Sequence, residues 1–253
     1  MKYDVIIVGA GPGGIYSAYE LMKKCGDKRI AVFDSGYSLK KRHCPIDGEK
    51  VKACIKCKSC SIMSGFGGAG AFSDGKYNIT NDFGGTLYEY IGKKAATELM
   101  QYVDEINMDH GGEGTKMYST AGTNLKKVCL QNRLKLLNAS VRHLGTDINL
   151  VVLGQLYDEL KEHVDFYFES PVSHIECLEN GGYRVWSNDQ SYDCGKCIVS
   201  VGRSGSKWME HICKELDIPT KSNRVDIGVR VELPAVLFSH LTDELYESKI
   251  VYR

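Results

Sequence analysis

Met1-Lys2-Tyr3-Asp4-Val5-Ile6-Ile7-Val8-Gly9-Ala10-Gly11-Pro12-Gly13-Gly14 opens the chain. An apolar run feeds a glycine-rich turn. A helical pattern follows, with Ile15, Ala18, Tyr19 and Met22 at spacings of three and four. The next apolar run, Arg29-Ile30-Ala31-Val32-Phe33, closes on Asp34. Strand, glycine turn, helix and a second strand ending in a carboxylate form the fingerprint of a dinucleotide-binding βαβ unit. Each part has a physical task. Gly9 permits the tight turn, Gly11 leaves room for a pyrophosphate, and Gly14 lets the helix approach the sheet. The helix N-terminus offers free N–H groups and a partial positive charge to phosphates. Asp34 can accept hydrogen bonds from a ribose diol.

The rest of the composition is that of an ordinary globular protein. The 253 residues are 43% hydrophobic and 25% charged, and 32 basic residues balance 32 acidic ones. Bulk charge therefore gives no reason to expect a nucleic-acid partner or an anionic membrane surface. No apolar run approaches the roughly 18 residues that span a bilayer, and no charged segment precedes the first strand. A cytoplasmic location is the expectation. Ten cysteines are then many. In a reducing compartment they point to metal ligation or redox chemistry where they cluster, and to core packing where they stand alone.

Periodicity predicts strands at 3–8 and 29–34 around a helix at 13–25. Residues 36–85 are glycine-rich, hold four cysteines and lack regular spacing, which in a compact protein points to function. Helical spacing returns over 86–110 and 124–137, and a short strand is expected at Ser140–Leu144. Gly145-Thr146-Asp147 reads as the start of a helix running to about His163, with Thr146 or Asp147 as its cap. Strands follow at Asp165–Glu169, Val172–Cys177, Tyr183–Ser187 and Lys196–Val201, with Asn180-Gly181-Gly182 as a turn between two of them. This β-meander ends in a second strand-to-glycine turn, Val201-Gly202-Arg203-Ser204-Gly205. A helix at Lys207–Glu215 and a strand at Arg224–Leu233 complete the expectation.

Three segments in this order carry a resemblance: Gly9–Gly14, Gly67-Gly68-Ala69-Gly70-Ala71-Phe72-Ser73-Asp74-Gly75-Lys76, and Val201–Gly205. Arg142-His143-Leu144-Gly145-Thr146-Asp147 and Asp226-Ile227-Gly228-Val229-Arg230-Val231 extend it along the chain. Together they resemble a family of poorly characterised FAD-dependent dehydrogenases with a glutathione-reductase-like FAD domain. The resemblance implies an α/β fold: a Rossmann-like FAD-binding domain, its parallel sheet overlaid by the β-meander, plus an α+β insertion or substrate domain. On this reading residues 1–85 and 146–215 bind FAD, and residues 86–145 and 216–253 form the partial cap. Members of this class normally continue into a C-terminal segment that returns to the flavin. None precedes Arg253, so the chain is expected to be the N-terminal portion of a longer protein.

The resemblance also implies an FAD-dependent oxidoreductase that passes hydride or electrons between flavin and a substrate or redox partner protein. NAD(P)H is a possible reductant. A flavin-binding redox sensor or electron-transfer module is the alternative. The expected cofactor-binding residues are Gly9, Gly11, Pro12, Gly13, Gly14, Asp34, Ser35, Arg42, Gly70, Ala71, Phe72, Ser73, Asp74, Val172, Gly202 and Arg203. Arg42 is expected to reach a phosphate, or else to belong to a solvated basic run with Lys40 and Lys41. Lys76 and His143 are the catalytic candidates: the first as a positive charge near the reduced ring, the second, beside Arg142, as a proton donor or a contact for an acidic substrate. Asp226 and Arg230 are read as a pair.

Cys44-Pro45 is followed by Cys54-x-x-Cys57-x-x-Cys60. Three cysteines at intervals of three suit one corner of an iron–sulfur cluster, with Cys44 as fourth ligand, most concretely a four-iron cluster. Four thiolates suit zinc equally. A redox disulfide facing the flavin and four free thiols are the remaining readings. The Cys194-x-x-Cys197 pair is read as structural, and Cys25, Cys129, Cys177 and Cys213 as core.

Overall fold

The computed structural model describes residues 2–179, 181–222 and 225–252. Met1, Asn180 of the expected turn, Arg224 of the expected last strand, and Arg253 lie outside the described residues. In chain order the first elements are Lys2–Val8 (β1), Pro12–Lys24 (α1), Ile30–Phe33 (β2), Lys76–Ile79 (β3), Leu87–Ile91 (α2) and Lys93–Asn107 (α3). Met117–Ser119 (β4), Leu125–Gln131 (α4), Leu134–Leu136 (β5), Ser140–His143 (β6) and Gly145–Leu160 (α5) follow. Then come Val164–Tyr167 (β7), Val172–Cys177 (β8), Tyr183–Ser187 (β9), Gln190–Val199 (β10), Ser206–Glu215 (α6), Ser239–Leu245 (α7) and Ile250–Tyr252 (β11). No helix among the described residues is long and apolar enough to cross a membrane.

The chain divides into two compact units. Unit 1 comprises residues 1–73 and 153–222, and unit 2 comprises 74–152 and 223–253. The seams thus fall at 73/74, 152/153 and 222/223, where the sequence placed them at 85/86, 145/146 and 215/216. The first seam moves because Lys76–Ile79 is a strand, antiparallel to β6, and not irregular chain. The second falls inside α5.

Unit 1 is an α/β layer built on a six-stranded sheet, ordered β7-β2-β1-β10-β9-β8. The first four strands are parallel and the last two antiparallel. The meander therefore does not lie over the parallel sheet as a separate layer. It extends the sheet edge-on, because β10 is longer than its expected stretch and pairs with β9 through residues 190–194 before running beside β1. Val5, Ile6, Ile7 and Val8 are all buried, as a strand covered on both faces requires. Tyr3, Ile6, Val8, Phe33, Ile175, Val185 and Ile212 meet in one core, with Cys194 among them and Cys197 packed against it. Hydrogen bonding to Cys194 and burial push the Cys197 thiol up, in keeping with a structural pair. Cys129 and Cys213 are buried and Cys25 half-buried, whereas Cys177 is exposed and does not belong to a core.

Unit 2 carries a three-stranded antiparallel sheet, β3-β6-β4, and a two-stranded one, β11-β5. Arg142 donates to both oxygens of Asp104, at 3.0 and 2.8 Å, and to Thr115 O at 2.6 Å. This largely buried fork ties β6 to α3 and commits three of the five Arg142 N–H donors within the unit. Three expected elements differ. The helix over 86–110 breaks at Gly92 (φ +80°). The helix over 124–137 stops at Gln131, and Arg133 at φ +58° turns the chain into β5. The alternating stretch before Leu233 forms no strand: Val225, Ile227 and Val229 are exposed, and Arg230 pairs with Glu232 instead of Asp226.

Candidate functional site

Two glycine turns open side by side at the C-terminal end of the parallel strands. Val8 of β1 is the register partner of Val199 of β10, and Ser200 donates its N–H to Val8 O at 2.7 Å. The turns at Gly9–Gly14 and Val201–Gly205 therefore share one edge of one sheet, where ligands of open α/β sheets bind. Gly9 sits at φ +105°, and a Cβ there would stand 2.3 Å from Ser200 O. A Cβ on Gly14 would stand 1.9 Å from Gly9 O, so this glycine is what lets α1 seat on its own turn. Gly11 is the opposite case. A Cβ there would meet nothing closer than Gly68 Cα at 3.9 Å, because its bare side faces a cavity.

That cavity holds about 820 Å³, within the range of small-molecule and cofactor sites. Gly9, Gly11, Pro12, Gly13, Asp34, Ser35, Gly70, Val172, Gly202 and Arg203 line it. So do Cys57 and Cys60, and also Lys58, Ser59 and Trp208, which the sequence did not single out. The first turn of α1 has no side-chain cap and no acidic residue, so its amides and dipole are uncompensated by the chain itself. The Ser59 hydroxyl is buried without a hydrogen-bond partner among the described residues. An uncapped helix end, an open face at Gly11, two cationic side chains and an orphan hydroxyl around one cavity fit an elongated, phosphate-bearing ligand.

Six of the residues expected to touch the cofactor are not in the cavity lining. Gly14 is packed under the turn. Arg42 is buried, and its guanidinium donates to three backbone carbonyls: Ser61 at 2.8 Å, Phe66 at 2.6 Å and Ile62 at 2.9 Å. With its donors committed inward it is neither a phosphate ligand nor part of a solvated run. Burial lowers its pKa, while Asp34 and Cys60 act in the opposite direction. Phe72 lies against Arg42, with the guanidinium carbon 4.9 Å from its ring centre. Ala71 is buried, Ser73 donates to Gly70 O at 2.8 Å, and Asp74 accepts from the Tyr246 hydroxyl at 3.2 Å.

Asp34 lines the cavity but is already engaged. One carboxylate oxygen accepts from Ala10 N at 2.7 Å, and the other from Gly36 N at 2.7 Å and Gly65 N at 2.9 Å. A carboxylate has about four acceptor positions, so one remains for a ribose hydroxyl. The carboxylate joins the glycine turn to both ends of the 36–65 loop. Phe66, buried beside Tyr157, Phe166 and Phe168, fixes the end of that loop.

The cysteines do not form the expected centre. Among the described residues no group of three or more His, Cys, Asp or Glu side chains is placed to hold a metal. Cys44, Cys54, Cys57 and Cys60 are free, and the last three are exposed. Only Cys57 and Cys60 reach the cavity wall. The loop is fixed by Arg42, Asp34 and Phe66, which need no ion. Neither an iron–sulfur cluster nor zinc fits this arrangement.

In unit 2 the two further segments of the resemblance meet. Leu144 N–H donates to Gly75 O at 2.9 Å and Gly145 N–H to Asp74 O at 3.0 Å, and Lys76 is the register partner of His143. Lys76 is ion-paired with Glu247. His143 Nε2 lies 2.7 Å from the Tyr246 hydroxyl, which donates to Asp74 at 3.2 Å. Tyr246 and Glu247 were invisible in the sequence, lying more than a hundred residues from their partners with no motif around them.

No family model matches the chain. An uncharacterized protein of Clostridium beijerinckii is 23% identical over 241 residues. The match takes in 94% of this chain and 38% of that protein, so the chain spans well under half the length of the curated relative it matches. Among solved structures, glycine oxidase from Geobacillus kaustophilus is 14% identical with a TM-score of 0.47, covering 85% of this chain and 58% of that one. FAD-bound L-α-glycerophosphate oxidase from Mycoplasma pneumoniae is 15% identical with a TM-score of 0.46, covering 85% and 57%. At these scores both are distant likenesses.

Proposed function

We propose that unit 1 holds FAD and that the protein is a flavin-dependent oxidoreductase acting on a small-molecule substrate, with NAD(P)H as a candidate reductant. One observation carries this reading: two strand-to-glycine turns on adjacent parallel strands open onto one cavity, into which Gly11 presents no side chain. The first-turn amides of α1 would hold the pyrophosphate, and the one acceptor position left on Asp34 a ribose hydroxyl. Arg203 and Lys58 add positive charge to the lining. Bound flavin supplies hydride or electron transfer; the chain supplies its orientation. The test is the flavin content of purified protein by absorbance, against a Gly11→Val variant. A colourless wild type that takes up no added FAD overturns the reading.

A second reading has the flavin pass electrons to a redox partner protein without a small-molecule substrate. Cys57 and Cys60 on the cavity wall favour it, since a thiol pair can carry two electrons outward. Steady-state turnover of a small substrate by a Cys57→Ser, Cys60→Ser double variant separates the two.

A further inference from the structure

Residues 225–233 alternate like a strand, yet they lie outside every sheet. Val225, Ile227, Val229, Val231 and Leu233 are 52–97% exposed, with Asp226, Gly228, Arg230 and Glu232 between them. Single apolar residues on a surface need no explanation, but five in strict alternation are the pattern of a strand with one covered face. Among the described residues no backbone group of 225–233 takes part in a backbone hydrogen bond. The segment thus offers an unused ladder of donors and acceptors to another strand. Gly228 sharpens the point. Its φ is not left-handed, and a Cβ there would meet nothing within 4 Å. Its own chain does not call for glycine, whereas glycine inside a strand often marks the close approach of a second backbone.

The pattern is also complementary to itself. Lay two copies of the segment antiparallel with Gly228 opposite Gly228. Asp226 then falls opposite Arg230 on both sides of the two-fold axis, and in the sequence Arg224 falls opposite Glu232. On the other face Val225 meets Val231 and Ile227 meets Val229. Other registers that keep the faces together oppose like charges. Centring on Val229 sets Asp226 against Glu232, centring on Ile227 sets Arg224 against Arg230, and parallel in-register pairing sets Asp226 against Asp226. Cross-strand pairs of opposite charge stabilise a sheet and like pairs destabilise it, so the charges select the Gly228 register. Arg230 bonds only to Glu232 of its own chain at 2.9 Å, and both are highly exposed, so this weak pair does not hold Arg230 back.

We propose that residues 225–233 are an interaction surface for a second copy of this chain, the two segments pairing antiparallel about Gly228. The interface is isologous: each copy supplies the same residues, and the two-fold axis passes between the two glycines. The apolar side chains of both strands gather on one side of the ribbon. Val236, Leu237 and Phe238, exposed just beyond Pro234, supply further apolar surface from each copy to cover that side. A two-stranded ribbon is marginal in water by itself, so the dimer is reversible and its population rises with concentration. The inference stands independently of the flavin reading.

Sedimentation equilibrium of the 253-residue chain tests this, with hydrogen exchange as a second readout. The wild type should show a monomer–dimer equilibrium, and the amides of 225–231 should exchange more slowly as protein concentration rises. Asp226→Arg should raise the dissociation constant by about 10-fold or more, because symmetry turns one substitution into two repulsive pairs. Arg230→Asp should do the same, and the double variant should return to within about threefold of wild type. Ile227→Lys should abolish the dimer. All four variants should keep the wild-type unfolding midpoint, since these side chains are exposed in the single chain. A protein that stays monomeric at every soluble concentration overturns the proposal. So does a dimer that Ile227→Lys leaves intact, which must be built elsewhere. Protection of 225–231 in the monomer overturns it too, by placing the partner strand in the same chain. A dimer that the charge exchange fails to restore overturns the Gly228 register.

Discussion

The two units present chemistry in opposite ways. The edge of unit 1 is made largely of backbone: glycines, helix amides and two strand ends, with a few side chains such as Asp34, Lys58 and Arg203 in the lining. The cluster of unit 2 is made of side chains whose partners arrive from distant points of the sequence. Backbone sites demand particular residues at particular places, because only glycine satisfies the geometry. Side-chain sites accept many arrangements, so they leave little trace in any one stretch. The cost of damage should divide in the same way. Injury to the first should fall on folding or ligand, and injury to the second on local stability with the fold retained.

The sharpest contrast lies within one turn. Gly14→Val would force a side chain against Gly9 O and should destabilise unit 1 by about 3 kcal/mol or leave it unfolded, read by urea titration. Gly11→Val, three positions earlier, should lose flavin while its unfolding midpoint stays within about 0.5 kcal/mol of wild type, because its Cβ points into the cavity. Equal damage from the two would break the distinction between packing and ligand-facing glycines. Asp34→Asn keeps one carbonyl acceptor for three backbone amides and should cost roughly 2 kcal/mol in stability even without flavin. An effect seen only on flavin affinity would return Asp34 to a purely ligand role. In unit 2, Tyr246→Phe should cost only about 1 kcal/mol. Glu247→Gln, at a partly exposed ion pair, should cost about 0.5 kcal/mol by the same measurement.

Unit 1 was the more legible half for this reason. β1, α1 and β2 announce themselves through an apolar run, a glycine turn and a closing carboxylate, and they lie within a residue or two of expectation. What the sequence concealed was the destination of side chains. Arg42 reads as a cation for phosphate until three carbonyls are seen to take its donors. The cysteine spacing reads as a cluster until the four thiols are seen not to gather and a buried arginine is seen to hold the loop. In unit 2 the strands β3, β4 and β11 are three or four residues long, too short for alternation to register. Conversely, the alternating stretch through Ile227, which is 97% exposed, shows that alternation without a partner strand makes no sheet.

The engagement of Asp34 has a consequence in time. The amides of Ala10, Gly36 and Gly65 belong to three separate pieces of chain, yet one carboxylate accepts from all three. None of them can meet solvent as a bare donor unless that carboxylate lets go. In deuterated buffer the three should keep a common clock, exchanging at one rate through one opening event, although up to 55 residues separate them along the chain. The glycine turn and the thiol-bearing loop would then breathe as a single body.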